Sequence, residues 1–264
     1  MNIYFRELKA NLKSLLIWCG VMGLLILIAV SKFSAFAGDP EMLKILDTMP
    51  PALLEAMSLR AFNLTTVTGF YGIMFIYFGL MGGIAAAMWA SDAITKEERD
   101  KTVEFSLVLP VSRSRVVTAK LLAALTNCIL FVAFTWGVSV VAVQSYQPDA
   151  AYYRFLSLEM AAMFAIELIF LAIGLLLGCA MKRYKLAGSA AVAIILGSYM
   201  LSIFSGLQKD LDFLKWITPF KYFDAGEIFR TDQLDPVFLA LSAGIVLVCV
   251  ASAYLVYNKR DLYI

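Results

Sequence analysis

Two glutamates lie inside an otherwise apolar stretch, where an acidic side chain is costly. Glu159 and Glu167 fall in one predicted membrane-spanning run, with Met163 between them on roughly the same side of a helix. An ionised carboxylate at mid-bilayer costs about 2.5 kcal/mol or more and usually faces the protein interior. Glu167 is therefore a candidate for a polar point on a substrate path or at a subunit interface. The alternative is a neutral Glu167 that hydrogen-bonds to a neighbouring helix through Ser198 or Tyr199.

The other residue types that enzymes use are scarce or badly spaced. The chain has no histidine, which removes the commonest general base and the Ser-His-Asp arrangement. Its four cysteines lie in apolar runs without C-x-x-C spacing, so they read as small apolar residues: Cys19, Cys128, Cys179 and Cys249. We therefore expect no catalytic residue, no metal site and no cofactor, and an integral membrane enzyme is the least favoured function.

Composition places the chain in a lipid bilayer. Of its 264 residues, 61% are hydrophobic and 16% charged, and the mean hydropathy is +0.81; soluble domains carry about 45–50% apolar and 25% charged residues. Six apolar runs reach the roughly 20 residues that cross a bilayer: about 15–36, 65–90, 116–143, 158–180, 186–207 and 237–257. We expect an all-α integral membrane protein with six transmembrane helices in a single domain, 1–264, and no nucleic-acid partner.

The first apolar run and the basic residues before it can each be interpreted in two ways. Its basic flank is also typical of a signal peptide, but the run exceeds the usual h-region of about 7–15 residues, so we expect a retained transmembrane helix. Before it, Ile3, Tyr4, Leu8 and Leu12 alternate with basic residues near helical spacing. This pattern is typical of a short amphipathic helix at the membrane surface. The alternative is the ordinary basic flank of a membrane helix.

Small residues in the second run predict a close helix contact. Gly79 and Gly83 form a G-x-x-x-G pair, and Ala87 lies one further turn along. Such a face lets a second helix approach closely.

The distribution of basic residues predicts the orientation. Of the 22 basic residues, 14 lie near the termini, in the 95–120 region and in the 182–185 turn, which six spans place on one side. Loops rich in Lys and Arg stay in the cytoplasm. Both termini and the 95–115 segment are therefore expected to be cytoplasmic.

The 95–115 segment is the main charged interruption between the apolar runs. Thr95 and Glu98 match the capping box T-x-x-E and predict a helix start, and Pro110 predicts its end. Val103, Phe105 and Leu107 add apolar surface to this charged helix. From the residues alone, the segment either docks on another protein or is a solvated helix that rests on lipid headgroups.

The run from Ile94 to Lys120, ITKEERDKTVEFSLVLPVSRSRVVTAK, resembles the first cytoplasmic loop of ABC transporter permeases of the second exporter type. The residues that match this family's pattern are Thr102, Glu104, Pro110, Val111, Ser112, Arg113 and Lys120. Lys101 stands where glycine is usual, and Ser106 where leucine is usual. The tail YNKRDL and the segment PFKYFDAGEIF before the last run are also similar to the family.

The resemblance implies a permease subunit of an ATP-driven exporter in a bacterial or archaeal cell membrane. It implies that the 95–115 segment is a coupling helix, with ATPase contacts at Thr95, Glu98, Thr102, Glu104, Phe105, Pro110 and Arg113. It also implies short external helices before the last span, which re-enter the outer leaflet; an anchoring aromatic belt is the alternative. The working unit would contain two permeases, identical or related, and two ATPase subunits. The sequence has no G-x-x-x-x-G-K-[ST] loop for ATP phosphates, so the ATPase would be a separate chain.

Aromatic residues of the second run are candidates for an apolar path. Tyr71, Phe75 and Phe78 would line it together with Glu167, although lipid-facing aromatics explain the pattern almost as well. The residues leave the substrate open among hydrophobic peptides, drugs, lipid-like molecules and sodium ions. The alternative function is a membrane scaffold or sensory subunit that binds an ATPase without moving a substrate.

Overall fold

The part of the chain that the structure describes contains six long helices, as the apolar runs predict. A computed structural model describes residues 3–36, 62–101, 111–207 and 209–259. In chain order the helices are α1 (Ile3–Phe36), α2 (Val67–Arg99), α3 (Arg113–Ala142), α4 (Ala150–Ala180), α5 (Tyr184–Leu207), the short α6 (Pro219–Tyr222) and α7 (Ala225–Thr231), and α8 (Pro236–Lys259). All but α6 and α7 are long and apolar enough to cross a membrane. The all-α, six-span fold class is confirmed.

The first helix corrects the prediction of a separate amphipathic helix at the membrane surface. From Ile3 to Phe36 the backbone is one continuous helix of 34 residues, which at 1.5 Å per residue is about 51 Å long. The hydrocarbon core of a bilayer is only about 30 Å thick. The basic residues before the span are therefore the extended end of a membrane helix, as the alternative proposed.

Helices α2 and α4 pack closely at the centre of the bundle, and the predicted small-residue face is confirmed there. A Cβ added to Gly83 would lie 2.8 Å from Phe170 Cδ2, and one added to Gly79 would lie 3.2 Å from Ile166 Cδ1. From the other side, a Cβ on Gly174 would lie 2.4 Å from the Ala87 carbonyl oxygen. The two helices touch nearly backbone to backbone, which small residues alone permit.

The outer helices expose large apolar side chains. Leu16 and Leu24 of α1, Phe204 of α5, and Leu247 and Leu255 of α8 are all more than half exposed. In water such a surface would be unfavourable, whereas lipid tails solvate it at little cost. The central pair α2 and α4 is thus surrounded by helices that face lipid.

The segment before α8 contains the predicted short helices: a 3-10 helix over Lys209–Trp216, then α6 and α7. The ring of Phe220 lies 5.4 Å from that of Phe170 and 5.9 Å from that of Tyr199. Tyr199 precedes the end of α5 by eight residues, or about 12 Å along the helix. The segment therefore dips between the long helices, although Phe213 and Trp216 remain exposed as in an anchoring belt.

Candidate functional site

Helix α2 carries the charged segment's first residues, and this corrects the predicted helix start at Thr95. Thr95 lies well inside α2, which ends at Arg99. Its hydroxyl donates to the Ser91 carbonyl oxygen at 3.0 Å, which is how threonine satisfies itself in a helix interior. Thr95 is buried and Glu98 half-buried. The capping-box prediction is wrong because residues 91–94 are already helical and leave no extended N-cap.

The end of α2 explains the glycine that the resembled pattern has at position 101. The Asp100 N–H donates to the Lys96 carbonyl oxygen at 2.8 Å, and Lys101 follows with φ 55°. This left-handed conformation directly after a helix is the usual place for glycine, which has no Cβ to clash. Lys101 therefore lies in a backbone conformation that glycine, the residue of the resembled pattern, would adopt more favourably.

Five charged residues meet where α1, α2 and α3 come together, and we call this group the junction cluster. Its members are Arg6, Glu7, Lys96, Glu97 and Lys120. Arg6 Nη2 lies 3.0 Å from Glu97 Oε1, and Lys120 Nζ lies 3.2 Å from Glu97 Oε2. Lys96 donates to the Glu7 carboxylate. The cluster thus joins three helices through alternating positive and negative groups.

Lys120 is the most deeply placed member of the junction cluster. Its side chain has no solvent exposure, and its ammonium donates to the Ala93 carbonyl oxygen at 2.6 Å as well as pairing with Glu97. An unpaired charge in such a site would be strongly unfavourable. The resemblance to the family singles out Lys120, whereas no pattern in the sequence identifies Arg6, Glu7, Lys96 or Glu97 as members of a site. The only signal was an acid, Glu7, in an otherwise basic flank.

The other end of the 95–115 segment is held by α8. Ser112 is the N-cap of α3, and its hydroxyl accepts from the Arg115 N–H at 3.3 Å. Arg113 donates to the carbonyl oxygens of Tyr257 and Asn258, each at 3.4 Å. A cation at the C-terminal end of a helix satisfies its last carbonyls and complements the helix dipole.

Two further side-chain contacts strengthen this end. The Asn258 side-chain amide donates to Ser114 Oγ at 3.1 Å, and the hydroxyls of Thr118 and Tyr254 are 2.7 Å apart. The tail sequence Y-N-K and the S-R-S sequence after Pro110, which both belong to the family resemblance, are therefore in direct contact.

The predicted ATPase-contacting residues fall into two groups. Thr95 and Glu98 belong to the α2 end of the 95–115 segment, and Arg113 belongs to its α3 end. Four lie outside the described residues: Thr102, Glu104, Phe105 and Pro110. The contact role of all seven stays a prediction.

A comparison with protein families bears on this arrangement. The family model of the ABC-2 family transporter proteins matches residues 1–262. The chain belongs to the ABC-2 transporter family. A comparison with curated proteins finds no match. As an ABC-2 permease, it is a multi-pass membrane protein and the membrane component of an ABC transporter.

Within this ABC-2 permease, Glu167 lies in the centre of the bundle. It and Glu159 have no solvent exposure, and the Glu159 carboxyl oxygens have no hydrogen-bond partner among the described residues. Gly82 makes room for the Glu167 side chain, because a Cβ there would lie 2.7 Å from Glu167 Oε1. The Cys128 thiol of α3 lies beside the same carboxyl. Glu167 therefore faces α2 and α3.

The alternative that Glu167 bonds to Ser198 or Tyr199 of α5 does not hold in this structure. Tyr199 packs its ring against Phe220, and Ser198 Oγ makes no hydrogen bond within the described part of the chain. Gly82 has no side chain and so leaves space for Glu167, and no polar residue of the fully described helix α5 bonds to it.

The three candidate aromatics of α2 also point into the permease. Tyr71, Phe75 and Phe78 are at most 3% exposed, so the lipid-facing alternative is wrong for them. The Tyr71 hydroxyl is hydrogen-bonded to Ser139 of α3, and its ring lies 5.9 Å from that of Tyr152 of α4. With Glu167 they belong to the closed core of one permease, and none of the four forms part of its outer surface.

Proposed function

We propose that this permease is the membrane-spanning subunit of an ATP-driven exporter, and that a separate ATPase drives it through the 95–115 segment. The observation that carries the proposal is that both ends of this segment are anchored to other helices. The junction cluster joins the α2 end to α1, and Arg113 joins the α3 end to the last turn of α8. A force on residues 102–110 would therefore reach four membrane helices at once.

The distribution of charge supports a cytoplasmic position for this segment. The start of α1, the end of α2, the start of α3 and the end of α8 meet at one end of the bundle. Most basic residues outside the apolar cores belong to the same end, and such ends stay in the cytoplasm. ATP and a soluble ATPase are available on that side only.

The ATPase contact is proposed for the residues at the tip of the segment, Thr102, Glu104, Phe105 and Pro110. Glu98 and Arg113, which precede and follow these residues in the chain, are half-buried, whereas Thr95 is buried. Thr95 therefore supports the contact through α2 instead of forming its surface. The proposed assembly contains two ATPase subunits and two permeases, identical or related, in a bacterial or archaeal cell membrane.

Glu167 and the α2 aromatics are proposed to take part in the substrate path. Because Tyr71, Phe75, Phe78 and Glu167 are closed off within one permease, a path along them requires α2 to move relative to α4. The close contact of these two helices makes such a movement a discrete step, since packed cores resist small gradual deformation.

Replacing the tip of the segment tests the proposal. Residues 102–109 are exchanged for a Gly-Ser linker of equal length, which leaves Glu97 and the junction cluster intact. The variant and the natural permease are each co-expressed with a tagged candidate ATPase and purified through the tag. A Gly-Ser replacement of residues 144–148, at the opposite end of the bundle, is the matched control.

We expect the natural permease and the control to co-purify with the ATPase, whereas the variant with residues 102–109 replaced should not. A folded tip variant that still co-purifies would contradict docking through the segment. An intact complex that hydrolyses ATP but moves no substrate into inverted vesicles would instead favour the scaffold or sensory function.

A further inference from the structure

We infer that the junction cluster makes the cytoplasmic ends of α1, α2 and α3 move as one body when the ATPase acts on the permease, with Lys120 as the positioning residue. This inference rests on the proposed function, because the driving force is assigned to the ATPase. It adds a role for α1, which Lys96 and Glu97 of the 95–115 segment contact directly.

The contacts of the junction cluster form a continuous chain between the three helices. Lys120 of α3 binds α2 twice, at the Ala93 carbonyl oxygen and at the Glu97 carboxylate. The other carboxylate oxygen of Glu97 forms an ion pair with Arg6 of α1. Lys96, next to Glu97, makes a second link to α1 at Glu7. One carboxylate, Glu97, therefore holds groups from both neighbouring helices.

The links of α1 are concentrated at this end. The Tyr4 hydroxyl is 2.9 Å from Thr126 Oγ1 of α3, and Trp89 Nε1 of α2 donates to Ser14 Oγ at 3.1 Å. Farther along, α1 exposes leucine and isoleucine side chains on one face and packs apolar side chains such as Met22 against the bundle on the other. Hydrogen bonds and ion pairs require defined distances and angles, whereas apolar contacts are non-directional, so the polar contacts fix the position of this end of α1 most closely.

Burial distinguishes the junction cluster from an ordinary surface ion pair on the same helix. The side chains of Lys120 and Glu7 are closed to solvent, that of Glu97 is 10% exposed, and only Arg6, at the rim of the cluster, is 41% exposed. Arg99 and Asp92, also paired on α2, are 51% and 43% exposed. Exposed pairs exchange freely with water and contribute little. The Arg99–Asp92 pair is therefore a matched control for the junction cluster.

Distance measurements between spin labels on α1 and α2 test the inference. Lys9 and Asp100 are exposed positions on the two helix ends and are replaced by cysteine for labelling, in a permease with Cys249 changed to alanine. Labelled permease is diluted with unlabelled permease, so that each measured distance lies within one subunit. Distances are recorded for the permease alone, for its complex with the ATPase, and for that complex trapped with ATP and vanadate.

Three versions are compared: the natural cluster, the triple variant Lys96→Met, Glu97→Gln and Lys120→Met, and the control Asp92→Asn with Arg99→Met. The triple variant removes Lys120 and both ion pairs between α1 and α2. The inference predicts one narrow distance in the natural permease and in the control, unchanged by nucleotide trapping, and a broader distribution whose mean shifts on trapping in the triple variant. Should the triple variant fail to fold, Arg6→Gln with Lys96→Gln, which removes the positive member of each α1–α2 pair, should broaden the distribution.

Several outcomes would overturn the inference. A broad α1–α2 distance distribution in the natural permease, measured without the ATPase, would overturn it. A nucleotide-dependent shift in the natural complex, or a narrow and unshifted distance in the cluster variants, would also do so. Failure of the ATPase to co-purify with the natural permease overturns the proposed function, while the comparison in the permease alone still reports on the cluster.

Discussion

The ammonium of Lys120 lies 3.2 Å from the Glu97 carboxylate, in a position closed to solvent. The two residues belong to α3 and α2, the helices that follow and precede residues 100–112 in the chain, so their pairing joins these two helices directly. Arg6 of α1 binds the second carboxylate oxygen of Glu97, which extends the same contact to a third helix.

Replacing Lys120 alone should destabilise the permease. Lys120→Met leaves Glu97 buried with one partner fewer, and removal of one member of a buried ion pair typically costs about 3–5 kcal/mol. The double variant Glu97→Gln with Lys120→Met removes both charges and should lose less stability than the single variant. The measurement is the apparent melting temperature of the purified permease in detergent.

The exposed pair of α2 is the control for this prediction. Arg99→Met should cost about 1 kcal/mol or less, because exposed ion pairs contribute little, and Arg99 is 51% exposed. An equal loss of melting temperature in Arg99→Met and Lys120→Met would contradict the assigned importance of burial.

Lys101→Gly should stabilise the permease. Lys101 has φ 55° at the end of α2, and a side chain in this left-handed conformation costs about 1–2 kcal/mol. Glycine removes the clash, whereas Lys101→Ala retains it and should bring no gain. Melting temperatures of the two variants measure the difference; equal values would show that residue 101 does not hold the left-handed turn.

Gly174→Ala should loosen the contact between α2 and α4. The new Cβ would lie 2.4 Å from the Ala87 carbonyl oxygen and 2.8 Å from its Cα. These are backbone atoms that cannot rotate away, so the helices must separate, at a cost of about 1–3 kcal/mol as in other overpacked cores. The readout is the apparent melting temperature of the permease.

Gly137→Ala on α3 is the matched substitution, since nothing lies within 4 Å of its added Cβ. Alanine also favours a helix over glycine. Gly137→Ala should therefore leave the melting temperature unchanged or raise it. A loss as large as that of Gly174→Ala would mean that close approach to α2 is not the cause.

The six helices could be predicted from the sequence, but the ends of two of them could not. Hydropathy located the apolar centre of each span, and Gly79, Gly83 and Ala87 correctly marked the tight face of α2. The helices α1 and α2 continue past their apolar runs into charged residues. Those residues are paired with each other across helices, and a pattern along one helix does not show such pairing.

The candidate site was predictable only in part for the same reason. Arg6 and Glu97 are 91 positions apart, so no local spacing brings them together. Thr95 and Glu98 satisfy the capping-box pattern, which requires a non-helical residue at its first position. Since α2 is already helical there, the pattern is present without the cap. The tail motif was recognised by resemblance, but its contact with Arg113 required the folded chain.

Glu167→Gln should separate a functional carboxyl from a structural one. Glutamine has nearly the same shape and cannot ionise, and its side-chain oxygen can still accept from the Cys128 thiol that lies beside residue 167. We expect normal expression and an unchanged melting temperature, with export reduced about tenfold, equivalent to about 1.4 kcal/mol in the barrier. Export is measured in inverted vesicles with a panel of hydrophobic dyes and with sodium.

Glu227→Gln is the control for this substitution, because Glu227 is exposed and pairs with Arg230 within α7. Export by this variant should match the natural permease. Unchanged export in a well-expressed Glu167→Gln variant would remove Glu167 from the proposed path.

Site-specific photo-crosslinking at Phe105 tests the central claim most directly. A photoreactive phenylalanine analogue is placed at position 105, and a matched analogue is placed at Tyr146, at the opposite end of the bundle. Each permease is co-purified with the ATPase, irradiated and analysed for a permease–ATPase adduct. The account predicts an adduct from position 105 and none from position 146. A complex that co-purifies intact but gives no adduct from position 105 would contradict docking through the 95–115 segment.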